Sequence, residues 1–533
     1  MSTYQGSRKP TRSGRRSRWC LAGGLAAGSL VAAVAGLSGV AASATARDLP
    51  TPSPAQPAVL SSDAPRTDGE PAGGNGWQRP EGEQRLDREQ RPEGEQRGDT
   101  AGGPRDEPSG RTSSGNGLPS QHKAVSVPCD SAQLVAALVR ANAQGGGILR
   151  LAEECTYTLT HAFQQVDEYD GGIRDAREAA DAAETPGDAE APARNAADDT
   201  AGLPVIYHAI TIEGSGATIA RGAQAEDFRF FTVRDGGELT LRDVTLLNGR
   251  SKVEGGSIHI VHGATAVVER VTVANSTSVS AEGGGGGIFN DGNLRISDSI
   301  LVGNRAAGTQ GKGGGLLNGG VMVMYRTEFR HNSAVSYGGG LANFRAAGDV
   351  YSSTFVRNNA GQGGGLASFS ARTKVSDSLV AGNSAETGGG LANSDAVLVL
   401  QQLTIRDNVA TVAGGGISTV QGLLPIDDSV IRDNTSRGHG GGVYADKSNL
   451  LVRGSDVKGN EAVGKTSQGA GLYVTAGSTS LYRSEVTGNR STVLAGGVHA
   501  ERARVKVDEG SVLIENSPAN CLGSKVTVAH CFR

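Results

Sequence analysis

A glycine cluster that ends in an aliphatic residue recurs through the second half of this chain, and it constrains the fold more than any other feature. The aliphatic residues that close the clusters are spaced 25 to 29 residues apart: Ile288, Leu316, Leu341, Leu366, Leu391, Ile417, Val443, Leu472 and Val498. A period in this range is typical of repeat proteins, in which each unit buries its apolar face only against its neighbours.

An asparagine recurs with the same period and forms a second, independent signal. It usually follows an aliphatic residue or phenylalanine by three positions, but the first two, Asn248 and Asn275, are shifted in register. Glycines suit bends that need a positive φ or a close backbone approach. Asparagines stacked in such a bend pass side-chain hydrogen bonds from one coil to the next. We therefore predict a structural ladder of Asn304, Asn332, Asn358, Asn383, Asn408, Asn434, Asn460 and Asn489.

The segments between these signals alternate apolar and polar residues, as in Val397–Leu400, which is typical of short strands. They are too short for an amphipathic helix of ten residues, and they lack the fixed leucines of leucine-rich repeats. A calcium-binding β-roll needs an aspartate after each glycine cluster. Asp291 follows the first cluster, but no aspartate occupies the matching position in the next three. A parallel β-solenoid remains, with two or three strands per coil stacked about 4.8 Å apart.

Residues 129–160 have the features of an N-terminal cap. Asp130 can cap a helix with Gln133 as its partner, the helix has an apolar face, and Gly145–Gly147 ends it. Strands are predicted at 148–151 and 157–159.

This cap resembles that of secreted right-handed parallel β-helix repeat proteins, through the string Pro128-Cys129-Asp130, Gly145-Gly146-Gly147 and Cys155-x-Tyr157-x-Leu159. The later Gly-Gly-x-aliphatic and x-x-Asn pattern resembles the repeats of polymorphic outer-membrane proteins. Both belong to the pectin-lyase-like group, and the resemblance covers about residues 125–533. It implies an all-β right-handed parallel β-helix with an N-terminal helical cap. It does not define an activity, because the group contains lyases, hydrolases and adhesins.

The chain before the cap is predicted to contain an export signal and a linker. Residues 1–46 carry six basic residues, no acidic residue, a long apolar stretch and a small-residue cleavage site. An uncleaved membrane anchor is the alternative. Residues 47–124 have the composition of a disordered linker, and residues 161–202 form an alanine- and acid-rich insertion that is predicted to be flexible. The β-helix domain itself is predicted at 125–533.

Four cysteines remain after the signal, in two local pairs at the ends of the repeats. They allow three connectivities, but opposite ends of a long stack cannot meet. We therefore expect structural disulfides between Cys129 and Cys155 and between Cys521 and Cys531, which fits an oxidising, extracellular location.

Candidate site residues are few. Asp427-Asp428 followed by His439 superficially resembles a polygalacturonase signature, but the other parts of that signature are missing. A weak candidate for ion or ligand binding is the set Arg406, Asp407, Arg432 and Asp433, in which the two aspartates would stack one coil apart. The repeat-region tyrosines look scattered; only Tyr444 and Tyr473 occupy matching positions in neighbouring coils.

The sequence thus favours a secreted or surface-tethered module for binding, adhesion or display, with cell-wall or environmental polysaccharide as the expected partner. The alternatives are a polysaccharide lyase or glycoside hydrolase, and a structural surface protein without a specific ligand. No metal or cofactor is expected. The net charge of −4 and the absence of a basic patch argue against nucleic acid.

Overall fold

The computed structural model describes residues 123–163 and 200–531, and these form a parallel β-solenoid with one helix. The predicted all-β solenoid with an N-terminal helical cap is confirmed. The predicted signal segment, almost all of the linker and residues 164–199 of the insertion lie outside the described residues. Within the described ranges, no helix is long and apolar enough to span a membrane.

Each coil of the central stack contains four short strands, one more than the two or three predicted. We number the resulting columns in chain order from the glycine cluster. From the second coil onwards, column 1 starts at the aliphatic residue after the glycines. The column comprises Phe231–Val233, Ile258–Ile260, Ile288–Asn290, Leu316–Asn318, Leu341–Phe344, Leu366–Phe369, Leu391–Ser394, Ile417–Val420 and Val443–Asp446. Column 2 follows, with Gly146–Leu151, Thr265–Glu269, Asn293–Ser297, Val321–Tyr325, Ala347–Tyr351, Arg372–Ser376, Val397–Gln401, Leu423–Asp427 and Ser448–Arg453.

Columns 3 and 4 complete each coil. Column 3 precedes the repeated asparagine and comprises Thr156–Leu159, Thr272–Ala274, Ile300–Val302, Glu328–Arg330, Thr354–Val356, Leu379–Ala381, Thr404–Arg406, Val430–Arg432, Asp456–Lys458, Glu485–Thr487 and Val512–Ile514. Column 4 follows that asparagine, with Arg250–Ser251, Thr277–Ser278, Arg305–Ala306, Ser333–Ala334, Asn359–Gln362, Ser384–Thr387, Val409–Ala413, Thr435–Ser436, Glu461–Ala462 and Arg490–Ser491.

Long strands at both ends of the stack run through a corner and belong to two columns. Ala209–Arg221 and Glu238–Leu247 join columns 2 and 3, whereas Leu472–Tyr482 and Val498–Val507 join columns 1 and 2. Strand pairing in the described residues is parallel, as between Ala347–Tyr351 and Arg372–Ser376. The register is continuous except for shifts between Glu213 and Ala217 and between Ala385 and Thr387. Side chains alternate across each strand, so one set fills the core and the other forms the outer surface.

The repeated asparagines form the predicted ladder inside the corner between columns 3 and 4. In each step the Nδ2 of one asparagine donates to the Oδ1 of the next, at 3.1 Å from Asn304 to Asn332 and 2.9 Å from Asn460 to Asn489. The same Oδ1 also accepts from the backbone N–H one coil earlier. Asn275 has φ of 55° and lies one position before the ladder, which explains its shifted register.

A second set of polar side chains stacks at the third position of column 1 and was not predicted. Asn290 donates to Asn318 (2.6 Å) and Asn318 to Asn343 (2.8 Å), and all three are buried. The sequence signal is an asparagine two residues after the aliphatic residue that closes the glycine cluster. It is weaker than the first signal because Ser368 and Thr419 replace asparagine in later coils.

A helical cap at the N-terminal end and a disulfide at each end are present, as the sequence indicated. The helix Ser131–Ala143 is capped by Asp130, whose side chain accepts from the N–H of Gln133. Disulfides join Cys129 to Cys155 and Cys521 to Cys531. The insertion leaves and re-enters at adjacent points, because the N–H of Phe163 donates to Ala201 O at 2.8 Å.

Candidate functional site

The outer side of column 2 is a flat, solvent-facing sheet that we call the column 2 face. The core-facing side chains of this column are buried, and those between them point outwards. In four consecutive strands the outward side chains are Asn293, Arg295, Ser297, Val321, Val323, Tyr325, Ala347, Asp349, Tyr351, Arg372 and Lys374. This set contains three basic side chains and one acidic side chain, Asp349.

Two tyrosines and two cations form a row along this face, which we call the cation–tyrosine stack. The rings of Tyr325 and Tyr351 are stacked, with centroids 5.1 Å apart and an interplanar angle of 13°. The guanidinium of Arg295 lies 5.7 Å from the centroid of Tyr325, and the ammonium of Lys374 lies 5.8 Å from that of Tyr351. The four side chains come from four successive coils. The row therefore extends along the solenoid axis with one member per coil.

The stack occupies the faces of both tyrosine rings, so their edges and hydroxyl groups are left to line the surface. Burial raises the pKa of Tyr351, and the nearby carboxylate of Asp349 raises it further. The hydroxyl group therefore stays protonated at neutral pH and can donate a hydrogen bond. Together the row offers a guanidinium, two hydroxyls and an ammonium, which are donors suited to carboxylates and sugar hydroxyls.

Exposed apolar side chains also lie on the column 2 face, within its charged centre and beyond it. Val321 is 52% exposed beside the tyrosines, and Leu423 is 41% exposed two coils beyond Lys374. Large aliphatic side chains are usually buried, so a repeated exposed set on one flat face indicates a contact surface.

The candidates Arg406, Asp407, Arg432 and Asp433 lie at the end of column 3, on a different face. The Arg406 guanidinium donates to the Asp407 carboxylate, and the Arg432 guanidinium donates to that of Asp433 at 2.5 Å. Each aspartate is thus neutralised by its own neighbour rather than left to share an ion. The described residues contain no group of three or more metal-ligating His, Cys, Asp or Glu side chains. Ligand binding by the two aspartates stays a prediction.

The polygalacturonase-like residues do not converge. Asp427 ends a column 2 strand and forms a bidentate ion pair with Arg453 at 2.6 Å for both contacts. His439 lies just before column 1, where its ring stacks on Tyr473 with centroids 4.2 Å apart. A pair of catalytic carboxylates flanking one bond is therefore not assembled by these residues.

His439 is part of a cluster of titratable groups at the C-terminal end of column 1. Tyr473 lies between His439 and His499, and its hydroxyl donates to Glu501 at 2.9 Å. Lys525 donates to the same carboxylate oxygen at 3.0 Å. Burial lowers the pKa of both histidines, only partly offset by Glu501. Burial alone would raise the pKa of Glu501, but hydrogen bonds from Lys525 and Tyr473 lower it.

We expect this cluster to make the fold sensitive to mild acid. The unfolded chain protonates the two histidines near pH 6.5, whereas the folded chain protonates them only at lower pH. Their contribution to stability is complete above pH 6.5 and is lost as the pH falls towards the folded-state pKa. The free energy of unfolding should decrease by up to about 1.4 kcal/mol per pH unit for each histidine in that window.

Urea unfolding at a series of pH values between 7.5 and about 4.5 measures this slope. His499→Phe should make it shallower, because a phenylalanine keeps the stacked ring and cannot bind a proton. His262→Gln, at an exposed site, should leave the slope unchanged. An identical pH dependence in His499→Phe and the parent protein would contradict the assignment.

The stacked tyrosines correct one interpretation of the sequence. Tyr325 and Tyr351 looked scattered, but they are register partners one coil apart and in direct contact. Their spacing of 26 residues equals a typical coil length, and this was the signal that could have identified them. Arg295 and Lys374 could not be found in the same way, because they occupy a different position in their strands.

Comparison with known proteins adds no assignment. No protein-family model matches the chain, and no curated protein matches it. Among solved structures, the A-module of the Azotobacter vinelandii mannuronan C-5 epimerase AlgE6 is 14% identical, with a TM-score of 0.36. The match covers 72% of this chain and 97% of that chain. At this level of similarity, the match assigns neither a family nor an activity.

Proposed function

We propose that this protein is an extracellular glycan-binding module that holds acidic polysaccharide on the column 2 face. The observation that supports this proposal most strongly is the cation–tyrosine stack of Arg295, Tyr325, Tyr351 and Lys374. A linear acidic polysaccharide presents carboxylates and hydroxyls repeatedly along its length. The stack presents donors repeatedly along the solenoid axis, so the two can form several contacts at once.

The balance of charge on this face favours an acidic ligand over a neutral one. Arg295, Arg372 and Lys374 outnumber Asp349, although the whole chain is acidic. The carboxylate of Asp298, which follows the strand Asn293–Ser297, does not cancel this excess. It already pairs with the Arg326 guanidinium, at 2.6 and 2.8 Å. The disulfides fit the extracellular location that such a ligand requires.

Affinity electrophoresis with polygalacturonate, alginate and neutral dextran tests the proposal. We expect retardation by the acidic polymers only, weakening as salt is added because exposed charges are screened. Tyr351→Ala should reduce the affinity at least about tenfold, because it removes a hydroxyl and releases Lys374 from its ring. Tyr482→Ala, which removes an exposed tyrosine elsewhere on the same face, is the matched control.

Equal retardation of the Tyr351→Ala and Tyr482→Ala variants would refute this role. So would the absence of retardation of the parent protein in every polymer. The same polymers, incubated with the protein, should show no new reducing ends and no absorbance from unsaturated products. Turnover would instead favour the lyase or hydrolase alternative.

A further inference from the structure

The last strand of column 2 has an open edge. Val498–Val507 pairs with Leu472–Tyr482 and with no other strand of the described chain. The terminal segment with the Cys521–Cys531 disulfide covers only the column 1 part of this strand, where Val498 N donates to Asn520 O (2.8 Å). The remaining part, residues 502–507, has no covering strand.

The hydrogen-bonding groups on this edge can be assigned from the register. Successive residues of a parallel strand direct their backbone groups to opposite neighbours. Asp508 N donates backwards to Leu481 O at 3.2 Å. By alternation, the N–H and C=O groups of Ala503, Val505 and Val507 point away from the stack. An exposed edge of this kind is a template for one more strand.

Three cations occupy the outer side of the same strand without a partner. Arg502, Arg504 and Lys506 are all exposed, and no ion pair involves them in the described part of the chain. In some earlier coils such charges are neutralised across the coil boundary, as Arg242 is by Glu269 at 2.8 Å. The three cations therefore lack the acidic side chains that a next coil would supply.

The inner side of the strand is buried apart from a small residual exposure. Val505 and Val507 retain 7% and 6% of their exposure, whereas Leu481, in the preceding coil, is fully buried. One further strand with inward apolar side chains would complete the burial of this layer of the core.

We propose that this edge binds an extended peptide of another protein as one more parallel strand, with acidic and apolar residues in alternation. Its acidic side chains would face Arg502, Arg504 and Lys506. Its apolar side chains would lie over Val505 and Val507. Its backbone would pair with the open N–H and C=O groups, which is recognition by strand addition. The simpler alternative is that the cations only shield the edge from self-association.

Binding of a fluorescently labelled peptide that contains Glu-Val-Glu-Ile-Glu-Val tests the proposal. Its fluorescence anisotropy is measured as the full-length protein is added. A peptide of the same composition in scrambled order is the control for bulk charge. We expect the alternating peptide to bind at least about tenfold more tightly than the scrambled one. Bound peptide should slow hydrogen exchange at the amides of Ala503, Val505 and Val507.

Charge reversal should remove the binding. Arg504→Glu and Lys506→Glu, made separately so that one misfolded variant does not decide the result, should each weaken it at least about tenfold. Arg490→Glu, an exposed cation near the same end but in column 4, should have no effect. Three results would overturn the proposal: equal binding of the scrambled peptide, no peptide binding, or binding to phosphatidylglycerol vesicles that the peptide does not compete with.

Discussion

Asn358→Ala is expected to lower the free energy of unfolding by roughly 3–5 kcal/mol, because buried groups that lose their partners cost about 1–3 kcal/mol each. Asn358 Oδ1 accepts from both the backbone N–H and the side-chain Nδ2 of Asn332, at 2.9 and 3.1 Å. Its Nδ2 donates to Phe329 O at 3.0 Å and to Asn383 Oδ1 at 3.1 Å. An alanine removes all four hydrogen bonds and leaves these groups buried.

The neighbouring residue provides the control. Asn359 is exposed and donates to Ser384 Oγ at 2.8 Å, so Asn359→Ala should change stability by less than about 1 kcal/mol. Urea unfolding followed by circular dichroism compares the two variants. Long repeat arrays can unfold in segments, so hydrogen exchange at the Asn332 amide should confirm that the loss is local. Equal stability of the two variants would show that the ladder contributes little.

Gly389→Ala is expected to destabilise the protein by about 3–5 kcal/mol, through overlap of backbone atoms rather than loss of a hydrogen bond. A Cβ built on Gly389 would lie 2.4 Å from Gly415 O in the next coil and 2.5 Å from Val409 O. Neither oxygen can move without separating the coils. The preceding glycine combines both requirements, because Gly388 adopts φ of 63° and a Cβ there would overlap Leu391 O.

Gly382→Asn separates these two effects. Gly382 also has φ of 63°, but a Cβ there would meet only Arg357 Cγ at 3.7 Å. Later coils carry Asp407 and Asp433 at the same left-handed position. Asparagine tolerates this conformation, so thermal unfolding should show a change below about 1 kcal/mol for Gly382→Asn. A similar loss in both glycine variants would contradict this distinction between close backbone approach and left-handed conformation.

These expectations show why the two repeated signals identified the fold so directly. The glycine and asparagine positions are each determined by contacts between neighbouring coils, and every coil repeats the same contacts. A side chain that must satisfy the same geometry in each coil leaves a periodic trace in the sequence. The disulfide pairs were predictable for a related reason, since only cysteines at the same end of a long stack can approach each other.

The candidate surface was less accessible to sequence reasoning. The sequence drew attention to Asp407 and Asp433, yet each pairs with the arginine beside it. It did not reveal the contact of Arg295 with Tyr325, because these residues are 30 positions apart and do not match the coil period. Such contacts depend on where each side chain leaves its strand and on how far it reaches.

By itself, the sequence determined the coil length, the parallel stacking and the asparagine ladder, because these follow from constraints repeated in every coil. Only the tertiary structure decided that each coil has four strands, that Tyr325 and Tyr351 stack between two cations, and that Arg502, Arg504 and Lys506 lie on an open edge. The tyrosine stack and the open edge occur once rather than in every coil. They arise from side chains of different coils meeting in space, which a periodic pattern cannot encode.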